Sequence, residues 1–468
     1  MNLRTGLSFL ISTLILGACG GGLGEAGTPK RPQVADQWVA RALQSYKSGD
    51  IEDAKTASEA AVKAAPKDTE ARLLRARVAL ARLDFADALR STEGLQSTEA
   101  HQIRGRAFWY QGDLEQAADE LDAMLRDPKI KDPWAKEISK LARWGQGRRP
   151  FAIEGGLVAS VEMPQAGPAL VVPCEIEGEQ VLALVATGSS ELIVDSASRK
   201  EPAWVNLRFG QHLEVKDVPA LTQDLGPLSR QFGAPIKALL GVNLLRHIHA
   251  TFDRRGSQFV VRKDEAAPPP DASRISLFYV RGGGMMMRMG LSIKEEVVSP
   301  FLVDSAAFYP IALEDVSWKR TGYDLASLKP EPNLPGNVKS GVLPGLRFGA
   351  FDLPGVPAVQ GLSIADSRST IDVDVGGIVG AGLLQLFRVT FADDGRYIWV
   401  EPDPTMMGPT GAPLPQRPPA GPAMEPEPDP KAPAPKPAGS GATAPKGPAP
   451  APAPAPKPAN KDVPKGLR

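Results

Sequence analysis

The chain of 468 residues has few histidines, few cysteines and no excess of either charge, with 54 basic side chains against 54 acidic ones. A formal net charge of zero removes any global electrostatic case for nucleic acid as a partner. The four histidines are His101, His212, His247 and His249. His247-x-His249 offers two nitrogens on one strand face, but no third ligand has suitable spacing, so a structural pair is the expectation and no metal is implied. Ser189 and Ser190 lack the G-x-S-x-G context of a hydrolase elbow. No G-x-x-x-x-G-K cradle for phosphate occurs. No cofactor is implied. The apolar run near the front, Leu7 to Leu16, is about ten residues long and too short to span a bilayer.

What the chain does have is a stretch written twice. Residues 241–261 read G-V-N-L-L-R-H-I-H-A-T-F-D-R-R-G-S-Q-F-V-V, and residues 380–400 read G-A-G-L-L-Q-L-F-R-V-T-F-A-D-D-G-R-Y-I-W-V. Without a gap they share Gly241/Gly380, Leu244/Leu383, Leu245/Leu384, Thr251/Thr390, Phe252/Phe391, Gly256/Gly395 and Val261/Val400. L-R-F-G at residues 207–210 recurs at 346–349 with the same offset of 139. A register held over that length means two copies of one structural unit. Each copy runs from a helix-like L-L turn into T-F, a glycine turn and an alternating apolar strand. Upstream, an apolar strand breaks at small residues: Ala186, Thr187, Gly188, Ser189 and Ser190 in the first copy, Asp304, Ser305, Ala306 and Ala307 in the second. Short strands and Gly/Pro turns point to an all-β pair of lobes.

This pattern resembles the pepsin/retropepsin family of aspartic peptidases over residues 151 to 402. In that family each lobe has a strand, then Asp-Thr/Ser-Gly, then an apolar-apolar-Gly segment that closes on the turn. Here the closing segments are Ala238-Leu239-Leu240-Gly241 and Gly377-Ile378-Val379-Gly380. The resemblance implies a cleft between lobes where two carboxylates share one proton across a water, because two like charges so close cannot both ionise. The second lobe supplies Asp304, with Ser305 as a hydroxyl donor to it. The first lobe has Ala186-Thr187-Gly188 where the family has Asp-Thr-Gly, and alanine neither gives nor accepts a proton. Ala306 replaces the second glycine, and would be unfavourable if that position required positive φ. The span from Asp304 to Gly380 is 76 residues and that from Ala186 to Gly241 is 55, which places an insertion in the second lobe, at about residues 318–340. Asp195 is a weaker candidate for the missing carboxylate.

The front of the chain reads as a targeting segment over residues 1–18. Leu16-Gly17-Ala18-Cys19 resembles a bacterial lipobox, which implies lipidation at Cys19 and a cell-envelope protein on the outer membrane. A linker follows over 19–34. Cys174 lies in an apolar strand pattern and reads as a buried small hydrophobe; with Cys19 acylated, no intrachain disulfide forms.

Over residues 35–147 the spacing becomes helical. Gly49-Asp50-Ile51-Glu52-Asp53-Ala54 recurs in form at Leu83–Ala88 and Gly112–Ala117, at intervals of 34 and 29 residues. These segments resemble the turn and second-helix start of tetratricopeptide repeats, which implies a small solenoid binding peptide or protein on its concave face. A packing spacer for the β region is an equal alternative. Trp134 and Trp144 fit a final helix that docks on the β region. From 403 to 468, Pro, Ala and Gly dominate, and the tail is expected to stay disordered.

The resulting architecture is a TPR-like α-solenoid, then an all-β bilobal domain with lobes at 151–265 and 272–402. The functional expectation is a lipid-anchored envelope protein whose degenerate cleft binds peptide or protein without efficient cleavage. Two alternatives stand beside it: an active endopeptidase using Asp304 with a non-standard partner, and a helical scaffold with a structural β domain.

Overall fold

The computed structural model describes residues 31–402, apart from 166, 281–282, 293–297, 333–336 and 363–370. The expected leader 1–18, Cys19 and the tail from 403 lie outside the described residues. Helices come first: α1 (Gln33–Lys47), α2 (Ile51–Ala64), α3 (Thr69–Ala81), α4 (Phe85–Thr92), α5 (Thr98–Gln111), α6 (Leu114–Leu125) and α7 (Pro133–Trp144). Their boundaries have a local cause. Asp50, Asp68, Asp84, Ser97, Asp113 and Asp132 each accept a backbone N–H from the first turn of the next helix, satisfying a donor that has no intrahelical partner. Asp50, Asp84 and Asp113 are the aspartates of the three matching segments. The residue before each of them turns left-handed, at Gly49, Leu83 and Gly112. Alanines at 42, 54, 57, 61 and 71 are fully buried, so neighbouring helices approach closely. Each helix packs on the next, and α1, α3 and α5 also stack on one another. No helix among the described residues is long and apolar enough to cross a membrane.

The β region comes next. Its first half holds β1 (Ala152–Gly155), β2 (Val158–Glu162), β3 (Val171–Ile176), β4 (Glu179–Ala186), β5 (Leu192–Asp195), β6 (Ala203–Phe209), β7 (Leu213–Gln223), α8 (Gly226–Phe232), β8 (Ile236–Gly241), α9 (Val242–His247), β9 (Thr251–Asp253) and β10 (Gln258–Arg262). Its second half holds β11 (Ser273–Val280), β12 (Gly284–Gly290), β13 (Val298–Asp304), β14 (Ile311–Leu313), α10 (Asp315–Arg320), β15 (Lys329–Pro330), β16 (Lys339–Phe348), β17 (Phe351–Gln360), β18 (Gly377–Gly380), β19 (Phe387–Ala392) and β20 (Tyr397–Pro402).

The two halves have one topology. In the first, the strands bond in the order β7-β5-β8-β4-β3-β6, and β6 returns to β7. In the second the order is β17-β14-β18-β13-β12-β16, and β16 returns to β17. The strand that ends at Ala186 runs parallel to β8, with Ala186 opposite Gly241. The strand that ends at Asp304 runs parallel to β18, with Asp304 opposite Gly380. The closing segments thus meet their turns in the same register in both halves.

The halves are joined by a shared sheet in the order β11-β20-β19-β9-β10-β2. Its central pair is β9 with β19, where Thr251 stands opposite Thr390 and the two hydroxyls are 2.9 Å apart. These two threonines are equivalent positions of the duplicated stretch, so a pseudo-twofold axis passes between them. Strands assigned by sequence to separate lobes, at 151–265 and 272–402, therefore complete one another's sheet. Between β14 and β16 the second half carries α10 and β15, where the first half has only the short link 196–202. That is the stretch in which the extra length of the second lobe falls.

Candidate functional site

The turns after β4 and β13 meet at the seam between the halves. The Thr187 amide donates to Ser305 Oγ, and the Ser305 amide donates to Thr187 Oγ1, both at 3.0 Å. Thr187 Oγ1 then donates to Val303 O at 2.8 Å, and Ser305 Oγ to Val185 O at 2.7 Å. Four bonds tie the two turns together where Thr187 and Ser305 are both fully buried, so each turn fixes the position of the other. The sequence expectation that Ser305 donates to the Asp304 carboxylate is overturned here. Its one hydroxyl proton goes to the opposite strand.

Asp304 ends β13 and lies against Gly188 of the other half. A methyl on Gly188 would stand 2.9 Å from Asp304 Cγ. The carboxylate accepts from the Ala306 amide at 3.0 Å, its one described hydrogen bond. Burial pushes the Asp304 carboxyl above its ordinary range, against the smaller opposing pull of that amide. Tyr309 is raised in turn by burial and by the charge of Asp304. Across the seam, Ala186 occupies the position equivalent to Asp304, and its methyl is buried. Among the described residues no second carboxylate contributes to Asp304's environment.

Asp195 does not replace it. Its carboxylate accepts from the Ala197 and Leu225 amides and from Lys237 Nζ. Burial pulls its pKa upward, but those donors outweigh burial and hold it below the carboxylate range. Nor does Ala306 strain its turn, because neither Gly188 nor Ala306 has positive φ. The closing glycines also have a steric role: a side chain on Gly241 would meet Glu191 O at 2.1 Å, and one on Gly380 would meet Tyr309 O at 2.0 Å.

The other candidates are structural. His247 stacks on Phe151 with ring centroids 4.3 Å apart, and its Nδ1 lies 2.7 Å from Asn243 O. Burial and the neighbouring Arg246 hold it well below the ordinary histidine range. No group of three metal-ligating side chains occurs among the described residues. Burial pushes the Cys174 thiol up to about 12, so it stays protonated and unreactive.

Sequence reasoning missed a polar cluster where the helices meet the β region. Glu191 is buried beside the first turn and accepts from Trp109 Nε1 of α5 at 3.1 Å and from Asn243 Nδ2 at 3.2 Å. Arg246 donates to Asn243 Oδ1 at 2.8 Å. Burial raises the Glu191 carboxyl despite these partners. A signal was present: in the duplicated unit Glu191 and Asn243 align with Tyr309 and Gly382, so the polar pair exists in one copy only.

The final helix docks on the β region as expected, with Trp134 in the contact but not Trp144. Trp144 is 54% exposed. Trp134 lies under the Arg106 guanidinium and joins an apolar cluster that includes Trp204 and Leu221 of the β region. Contact with the β region runs through Trp109 and through Trp204, whose Nε1 donates to Leu141 O at 2.9 Å. Val39, Ala42 and Tyr46 of α1 and Leu74, Val78 and Ala81 of α3 share one apolar cluster with β-region residues that include Phe278, Val280, Val373 and Val375. This part of the helical surface, expected to receive a ligand, is filled by the chain itself. Cavities of about 500 and 420 Å³ lie along the same boundary, the first lined by Lys47, Arg77 and Arg320, the second by Arg82, Arg274 and Arg288. Neither is lined by Asp304.

No family model matches the chain, and no curated protein matches it. Solved structures match parts of it. The TPR domain of Arabidopsis OM64 is 19% identical over 24% of this chain and 96% of its own, with a TM-score of 0.22. A retropepsin-like aspartic protease from Rickettsia conorii is 22% identical over 28% of this chain and 90% of its own, with a TM-score of 0.21. Basic 7S globulin from soybean is 10% identical over 54% of this chain and 95% of its own, with a TM-score of 0.33.

Proposed function

We propose that the β region is an aspartic-peptidase-like domain reduced to one acid, which binds peptide or protein at the seam between its halves without efficient cleavage. The observation that carries this reading is Ala186. The two turns are locked together as a two-acid mechanism needs, yet one side of the seam presents a methyl group. A single half-buried carboxyl titrates once, and has no ionised partner to take a proton from water while it holds its own. Loss of one of two groups that act as a unit lowers the rate by on the order of 10² to 10⁴ or more.

Incubation of the purified protein with mixed peptides between about pH 3 and 7, the range in which shared carboxyl pairs operate, tests this reading. Wild type and Asp304→Asn are expected to leave the peptides equally intact. Cleavage by wild type that disappears in the variant would show a working site and end the pseudoenzyme reading.

A specific observation favours a second role for the helices, as a scaffold. Their apolar surface at α1 and α3 is spent on the β region, so binding by the whole protein falls to the surfaces left free and to the seam. The envelope reading rests on Leu16-Gly17-Ala18-Cys19 alone. Metabolic labelling with a fatty acid in a Gram-negative host is expected to mark the wild type and leave Cys19→Ser unmarked. Equal labelling of both would remove the anchor.

A further inference from the structure

The two turns at the seam differ at all three positions; beyond the conservative Thr187/Ser305 pair, Ala186 stands for Asp304 and Gly188 for Ala306, and Gly188 lies against Asp304 across the pseudo-twofold axis. Ala186, Thr187 and Gly188 correspond to Asp304, Ser305 and Ala306, each pair 118 residues apart as Thr187 and Ser305 are. The reciprocal bonds of Thr187 and Ser305 carry that symmetry down to single atoms.

The room for Asp304 is made by Gly188. A Cβ placed there would lie 2.9 Å from both Cγ and Oδ1 of Asp304 and 3.3 Å from its Cβ. Carbon atoms do not approach a carboxyl group that closely without displacement. Since Gly188 has no positive φ, its backbone conformation is open to any residue, and what the site requires of it is the missing side chain. In the mirror-related place stands Ala306, whose methyl packs against the first half's apolar cluster of Ala169, Val171, Leu184 and Ile236.

We propose that Ala186 and Ala306 are a coupled pair: the methyl at 306 fills the space that a carboxylate at 186 would need, so two positions hold the one-acid state. Ala306 is on this view a positioning residue, acting through whatever side chain stands at 186. Reversal at position 186 alone meets a blocked site. The inference takes its chemical meaning from the one-acid reading above, but its packing claim is measured without substrate.

The test is a pair of double-mutant cycles on the full chain, read by thermal unfolding and by NMR titration of ¹³C-labelled aspartate carboxyls. A186D is expected to lower the unfolding midpoint by several degrees, A306G to change it little, and A186D/A306G to recover most of the loss. Wild type should show one carboxyl titration at the seam, and A186D/A306G two that are widely separated, as two acids sharing a proton behave. The mirror cycle is the control: G188A is expected to lower the midpoint, and D304A to relieve it. Should A186D give no folded protein, the double variant must give it. Additive effects of A186D and A306G, or failure of A186D/A306G to fold where the mirror cycle shows relief, overturn the proposal. Peptide cleavage by wild type would sink the one-acid reading and leave the stability cycles interpretable.

Discussion

Asp304 shows how far one residue can be read. The apolar run into a small-residue turn, together with the duplicated frame, put it at the seam, and there it lies. The sequence could not give its energetics. A carboxyl raised by burial binds its proton more tightly folded than unfolded, so the native state holds more protons between the two pKa values. Stability from this group is full below its ordinary value of 3.8 and is lost as pH rises through the folded value. Asp304→Asn is therefore expected to raise the unfolding midpoint at pH 7 and to match wild type in acid, below the ordinary value. A variant less stable than wild type at neutral pH would show that the charge is held by a partner. Thr187→Val tests the bonds beneath. It keeps the shape and removes the hydroxyl, leaving the Ser305 amide and the Val303 carbonyl without partners in a buried site. A loss of about 2 to 6 kcal/mol is expected in denaturant unfolding, from about 1 to 3 for each of the two groups.

At the scale of elements, α5 reaches directly to the turn that carries Ala186. Trp109 donates to Glu191, three residues past Gly188, while the Val242 and Asn243 amides at the start of α9 donate to Ser189 O and Ser190 O. One helix of the first layer thus helps to hold one turn of the seam. Trp109→Phe keeps an aromatic ring against Trp204, 6.0 Å away between centroids, and removes the N–H. The buried Glu191 carboxyl then loses one of its two donors and keeps Asn243 Nδ2, and a loss of about 1 to 3 kcal/mol is the outcome expected. Amide exchange is expected to rise at 186–191 and 241–247 and to stay unchanged in β16 and β17. Unchanged exchange at both sites would mean that the helices merely lean on the domain. The helix starts were legible because Asp50, Asp84 and Asp113 act within one turn of chain, through a capping bond that needs no distant partner. The docking was legible only in part, because Trp134, Trp144 and Trp109 have similar local contexts, and only tertiary packing separates the exposed Trp144 from the other two.

At the scale of the molecule, the duplicated β units were legible as two copies, since equivalent residues keep one offset of 139 through to the Thr251–Thr390 contact. Their joining was not. The shared sheet pairs β2 with β10 and β9 with β19, and pairings so distant in sequence leave no periodicity to read. The same holds for the filled helical surface. Helical spacing shows which residues of α1 and α3 are apolar, not what covers them, and the cover comes from β11 and the loop residues 373–375, about two hundred positions or more away in the chain. Phe278 and Val280 are buried against the helices that lie over them. Removal of residues 33–144 would bare them together with Met286, Val373 and Val375, a contiguous apolar patch of the kind that drives association. The truncated β region is therefore expected to elute as large assemblies in size exclusion, while the full chain elutes as a discrete species. Phe278→Asp in the full chain is expected to loosen the helices and raise proteolytic cleavage in the α7–β1 link without preventing the halves from pairing, because the seam bonds of Thr187 and Ser305 lie elsewhere. A truncated β region that stays discrete and folded would show the helical layer to be a detachable module, and its inner surface would again be open to a ligand.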